Sequence, residues 1–145
     1  METRKLKPKV DKLFWILFIP TVGVCLAAAV IPAIFSPTTL FITLPVLLFA
    51  LYFFVSPLFG YIELRENELF IKYGFFLKRS IPYEKLRSAE KGRKFYPESM
   101  LSLKNSFDHV NVKYNSFDVT TVSVEDNDDL IRELDARRAS ALNRR

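Results

Sequence analysis

Few side chains in this sequence can do covalent chemistry. Among 145 residues His109 is the only imidazole and Cys25 the only thiol, so no His/Cys spacing suited to a metal exists. Ser106, Asp108 and His109 are near neighbours, but closeness in sequence brings no triad geometry with it. The glycines, Gly23, Gly60, Gly74 and Gly92, are too scattered to cradle a phosphate. The residues therefore predict neither an enzyme nor a cofactor.

Charge is the chemistry that remains. Between Lys78 and Lys104 stand eight basic residues (Lys78, Arg79, Lys85, Arg87, Lys91, Arg93, Lys94 and Lys104) against Glu84, Glu90 and Glu98, a local net of +5. Near anionic headgroups each cation within a Debye length contributes about 1 kcal/mol. Phe95 and Tyr96 fall in a loop-like stretch of this run, and Phe75 and Phe76 at a strand corner. The candidate contacts for anionic lipid or a protein or peptide partner are Lys78, Arg79, Lys85, Arg87, Lys91, Arg93, Lys94, Phe95 and Tyr96. The plain alternatives are that the cations solvate a small domain and the aromatics plug its core. Nucleic acid is not expected: an isoelectric point near 9.4 invites the idea, yet residues 60 to 145 carry only +2.

Such a patch needs an element to place it against a membrane. From Leu13 to Phe59 there is no Asp, Glu, Lys, Arg or His in 47 residues, and every charged side chain lies outside that window. A hydrocarbon layer of about 30 Å takes roughly 20 apolar residues per helical crossing, so the window predicts two crossings joined by a turn. Helix-poor Ser36-Pro37-Thr38-Thr39 marks the turn, giving helices over about 13–35 and 40–59. Leu, Ile, Phe and Val number 12 from Leu13 to Ile34 and 14 from Leu40 to Phe59. At about −0.3 to −0.6 kcal/mol each, both segments should insert. A cleaved export signal is disfavoured because the apolar run continues past Ala27-Ala28-Ala29.

Orientation follows from the flanks. Arg4, Lys5, Lys7, Lys9 and Lys12 precede the window, Arg65, Lys72, Lys78 and Arg79 follow it, and the tip between the helices is uncharged. Positive flanks stay inside. The expectation is a multi-pass protein of the cell membrane with both termini cytoplasmic. Without ionisable groups at depth the hairpin reads as a tether and not a conduit, and its prolines leave open a groove for another membrane protein.

After Gly60 the hydrophobic period shortens to two. Strands are predicted at Tyr61–Leu64, Leu69–Tyr73, Phe75–Ile81, Val110–Tyr114 and Phe117–Val124, with weaker ones at Leu86–Lys91 and Met100–Lys104. A helix follows, capped by Asp126 or Asn127, with Leu130, Ile131 and Leu134 as its apolar stripe. The predicted organisation is a basic leader (1–12), a transmembrane hairpin (13–59), a β domain (60–139) of about seven strands in a barrel or sandwich capped by that helix, and a fraying tail (140–145).

The stretch YIELRENELFIKYGFFLKRSIPYEKLRSAE, then LSLKNSFDHVNVKY and a final DDLIRELDARR, following a basic leader and an apolar hairpin, resembles the short bacterial membrane proteins with a pleckstrin-homology-like domain. The resemblance implies a membrane-anchored α+β chain whose seven-stranded barrel, capped by a C-terminal helix, acts as a non-enzymatic interaction module. It also implies a second possibility, self-immunity against a secreted peptide bacteriocin, which one kind of member provides. Eukaryotic lipid readers of this fold gather cations in the first strand-to-strand loop. Here that loop is Arg65-Glu66-Asn67-Glu68, so phosphoinositide binding is not implied.

Overall fold

The computed structural model describes residues 2–94, 96, 98–99 and 102–144, with backbone only at positions 53 and 54. Phe95, and Met100 and Leu101 at the start of the weak strand, lie outside the described residues.

Helix α1 (Lys12–Phe35) is opened by Asp11, whose carboxylate accepts the Phe14 N–H at 3.1 Å. A single 3-10 turn at Pro37–Thr39 reverses the chain into α2 (Leu40–Val55), where the uncharged tip was expected. Ser56–Phe59 then forms a 3-10 turn instead of prolonging α2, because Pro57 lacks the N–H that another α-turn needs. The two helices pack on each other, and Cys25, Ala28 and Ala29 of α1 line an apolar pocket with Thr43, Val46 and Ala50 of α2. Their remaining surface is apolar and uncovered: Phe35 and Phe41 are each 84% exposed. Only α1 is long and apolar enough by itself to cross a membrane among the described residues, while Pro37–Tyr52 is a shorter apolar stretch. The expected pair of full-length spans is thus one such helix and a shorter companion, cut back by Pro57.

The rest is a two-layer β structure. In the first sheet β1 (Arg4–Leu6), β2 (Tyr61–Leu64), β3 (Glu68–Lys72) and β4 (Lys78–Pro82) run antiparallel in chain order. In the second, β5 (Leu86–Arg93), β6 (Ser102–Leu103), β7 (Asp108–Tyr114) and β8 (Asp118–Val122) stand in the order β5-β7-β8-β6, with β6 parallel to β8. These are two sheets and not the barrel that the resemblance implied. The eighth strand is β1, contributed by the basic leader. Its Arg-Lys-Leu sequence is too short for a period-two signal, yet Leu6 packs against the core. Beyond β1 the leader crosses to the second sheet, where Pro8 bridges to Val124 and Lys9 N–H donates to the Ser123 carbonyl at 2.9 Å.

Alternation sends Ile62, Ile71 and Ile81 of the first sheet against Val110, Val112 and Val122 of the second, all fully buried. The strand expected at Phe75–Ile81 begins only at Lys78, and Gly74-Phe75-Phe76-Leu77 instead form the tip of the β3–β4 hairpin. Gly74 has φ +134°, and Ser56 occupies the place a Cβ would take, so neither its backbone nor its surroundings admit a larger residue. Helix α3 (Asn127–Asn143) is capped by Asp126, which accepts the Asp129 N–H at 2.9 Å, and buries Leu130 and Leu134. It runs past the expected fraying point at Ser140, since Ala141 packs on the core and Arg144 reaches the Asn67 side chain at 3.3 Å.

Candidate functional site

The sandwich has two chemically different ends. At the end next to the helices, the Tyr52 ring of α2 lies 6.0 Å from Phe75 and 5.9 Å from Phe76, and Phe59 lies 4.8 Å from Phe75. There Asn105 donates to the Pro57 carbonyl at 3.1 Å, and the same Asp11 carboxylate that caps α1 accepts the Phe107 N–H at 2.8 Å. Burial opposes the charge on Asp11, but N–H groups of Phe107, Phe14 and Leu13 and the Ser106 hydroxyl outweigh it and hold the carboxyl below its usual range.

The far end is closed by α3. Arg137, buried in that helix, donates to the Arg65 carbonyl at 2.8 Å, the Glu2 carbonyl at 2.7 Å and the Glu133 carboxylate at 2.7 Å. Tyr83 donates to the same Arg65 carbonyl at 3.0 Å, and burial pushes its hydroxyl up to about 12. In the β2–β3 turn Arg65 is held by Glu63 at 3.0 Å and Glu68 at 2.9 Å. The loop that eukaryotic lipid readers fill with free cations is here tied to carboxylates and to α3.

The sequence-predicted basic run does not form one patch. Lys91 pairs with Asp128 at 2.8 Å, Arg93 with Asp108 at 2.9 Å, and Lys94 with Glu98. These carboxylates raise the Lys91 and Lys94 ammonium groups above their ordinary values, and neutralise that part of the run. Lys104 donates to the Lys94 carbonyl, and burial lowers its ammonium. Tyr96 is exposed with the Lys94 ammonium 5.9 Å from its ring. Arg79 lies over the Tyr114 ring at 5.6 Å and donates to its hydroxyl, and Arg87 donates to the Ser116 carbonyl. Lys78 and Lys85 have no carboxylate partner among the described residues. Lys78 sits at the helix end, opposite Lys72 in the β3–β4 register, whereas Lys85, in the turn before β5, and Arg87 sit toward the far end.

The leader supplies charge that the basic run did not include. Lys5 Nζ lies 3.8 Å and Lys72 Nζ 5.8 Å from the centroid of the Tyr61 ring, so Lys5, Lys72 and Lys78 gather at the base of the β3–β4 tip. Only the pairing of β1 with β2 and of β3 with β4 brings them together, and no linear motif announces it.

His109 is fully buried and hydrogen-bonds the Phe107 carbonyl through Nδ1 at 2.9 Å, while Asp108 is taken by Arg93. Its Nε2 faces Gly92 and has no partner among the described residues, and burial lowers its pKa. The Ser106, Asp108, His109 neighbours thus make separate structural contacts. Among the described residues no group of three or more His, Cys, Asp or Glu converges as a metal site would.

Two sheets closed by a C-terminal helix, with the first strand-to-strand loop at one end, define a pleckstrin-homology-like domain. The family model described as "Bacterial PH domain" matches residues 60–138, more than half of the chain, and the protein belongs to that family. No curated protein and no solved structure matches the chain. The matched region begins after α2 and leaves the helices and the leader strand β1 outside it. PH-like domains are generally interaction modules, and this one carries an apolar helix before it.

Proposed function

We propose that the protein is a membrane-tethered interaction module whose PH-like domain binds a protein, peptide or lipid partner at the cytoplasmic membrane face. The observation that carries this reading is the pairing of β1 with β2, Arg4 opposite Leu64 and Leu6 opposite Ile62. One strand of the first sheet precedes α1 and its neighbour follows α2, so the leader and the domain share one side. If α1 crosses the membrane, α2 must bring the chain back, and the basic flanks favour the cytoplasm for that side. Continuous helical backbone from Pro37 to Phe59 supports a return through the bilayer despite the shortness of α2 alone.

Topology is tested by impermeant maleimide labelling of intact cells in a Cys25→Ser background. Thr38→Cys should label from outside and Ser116→Cys only after permeabilisation; equal labelling of both would sink the tether. For the binding role, gentle solubilisation should recover a stoichiometric partner or enriched anionic lipid, and recovery of a protein or peptide partner should be reduced by Lys85→Glu with Arg87→Glu, cations toward the end away from the helices. Repeated recovery of the bare protein would count against it. Nothing in the geometry favours self-immunity over this reading.

A further inference from the structure

We propose that the β3–β4 hairpin tip, Phe75-Phe76-Leu77, is a second membrane contact that inserts into the bilayer interface and selects anionic lipid through Lys5, Lys72 and Lys78 at its base. The proposal rests on the tether described above and names the bilayer itself as the partner of this surface.

The three tip residues are 45%, 80% and 49% exposed, so they are not core plugs. They stand in a row at the end of the β3–β4 hairpin, where Gly74 lies close against Ser56, the Ser56 hydroxyl donates to the Tyr73 carbonyl at 3.4 Å and the Tyr73 N–H donates to the Leu77 carbonyl at 2.8 Å. The tip rings stack on Tyr52, which lies three residues before the end of α2, about one helical turn into the apolar helix. Any bilayer that covers Tyr52 also covers Phe75 and Phe76. Aromatic side chains at that depth sit in the headgroup belt where their rings are stabilised.

Charge selects the same occupant. Lys72 and Lys78 are directly opposed across the last rung before the tip, an arrangement that repels in water. Lys5 adds a third cation on the outer face over Tyr61; Glu63 stands opposite it in the β1–β2 register but gives its carboxylate to Arg65, and none of the three lysines forms an ion pair among the described residues. A lipid phosphate at the neck of the hairpin relieves that repulsion while the tip lies below it. An apolar wedge ringed by unneutralised ammonium groups fits an anionic bilayer surface, whereas a second copy of this chain would oppose the same cations to one another.

The test places a fluorophore on the tip of the full-length protein. In Trp15→Phe/Phe76→Trp, reconstituted in phosphatidylcholine vesicles with phosphatidylglycerol as minority lipid, emission should be blue-shifted and quenched by acyl-brominated lipids. Brominated phosphatidylglycerol should quench more strongly than brominated phosphatidylcholine, reflecting enrichment of roughly fivefold per lysine in reach. Lys72→Gln with Lys78→Gln should remove most of that preference; an unchanged preference overturns the role of the lysines. Emission at position 76 insensitive to brominated lipid but quenched by aqueous iodide overturns insertion. Trp15 of the unsubstituted protein separates the two readings. If Trp15 is quenched and the tip is not, the wedge fails and the tether stands; if neither is quenched, the tether fails as well.

Discussion

Arg137 joins three segments remote in sequence: the leader at Glu2, the β2–β3 turn at Arg65 and its own helix at Glu133. Arg137→Ala takes a donor from the Glu2 carbonyl and leaves the Arg65 carbonyl only Tyr83 and the Glu133 carboxylate only Arg4, and should lower stability by about 2 kcal/mol in thermal melts of the detergent-solubilised protein. His109 sets a pH dependence. Because burial lowers its folded pKa below the ordinary 6.5, the unfolded chain binds the proton more readily. Above that value both states are neutral and the stability is intact; as pH falls through about 6.5 toward the folded value, stability is lost. Chemical denaturation at pH 7.5 and 5.5 should show this loss in the parent, and a flatter profile in His109→Gln. Lys104 and Lys94 near the ring add to the burial effect, while Glu98 and the Phe107 carbonyl oppose it.

The Asp11 carboxylate ties the start of helix α1 to the β domain, beside the Asp11 N–H bond to the Asn105 carbonyl at 3.1 Å. Asp11→Ala removes both its N-cap and its bond to the Phe107 N–H, and should cost about 1 kcal/mol. Hydrogen exchange should then quicken in two separated places, the first turn of α1 and the loop around Phe107; exchange altered only in α1 would show that the link carries no load. Periodicity made β2 and β3 legible, since they bury alternate residues, and α3 has a clean stripe, whereas β7 and β8 are buried over consecutive residues and were legible by their β-branched composition. It failed where contacts at long range decide. The leader forms β1 only because the exposed edge of β2 is available to it, and Phe75–Leu77 read as strand because nothing in their hydrophobicity reveals that Gly74 has turned the chain. The basic run was visible as composition, but its division into neutralised and unpartnered halves depended on Asp108 and Asp128, which lie in other elements.

For the molecule as a whole, the helices are an excursion from the middle of a sheet, since β1 and β2 are neighbours in space and are parted in sequence by both helices. Removing residues 2–6 therefore uncovers the edge of β2 and strips the Arg4 pairs to Asp129 and Glu133 and the Glu2 carbonyl from Arg137. The shortened protein should melt at least about 8 °C lower, by roughly 2 kcal/mol, although the region matched to the family is untouched. The same arrangement bears on synthesis. The leader is made before the helices and finds its partner strand only after the apolar segment has doubled back, so, if the helices enter the membrane as proposed, the sheet is completed by chain made before and after that step. A molecule that inserted without returning would leave β1 and β2 on opposite sides, each with an open edge, and the domain would remain unfinished. In the proposed topology the first sheet is therefore completed only when the chain has returned to the side it left.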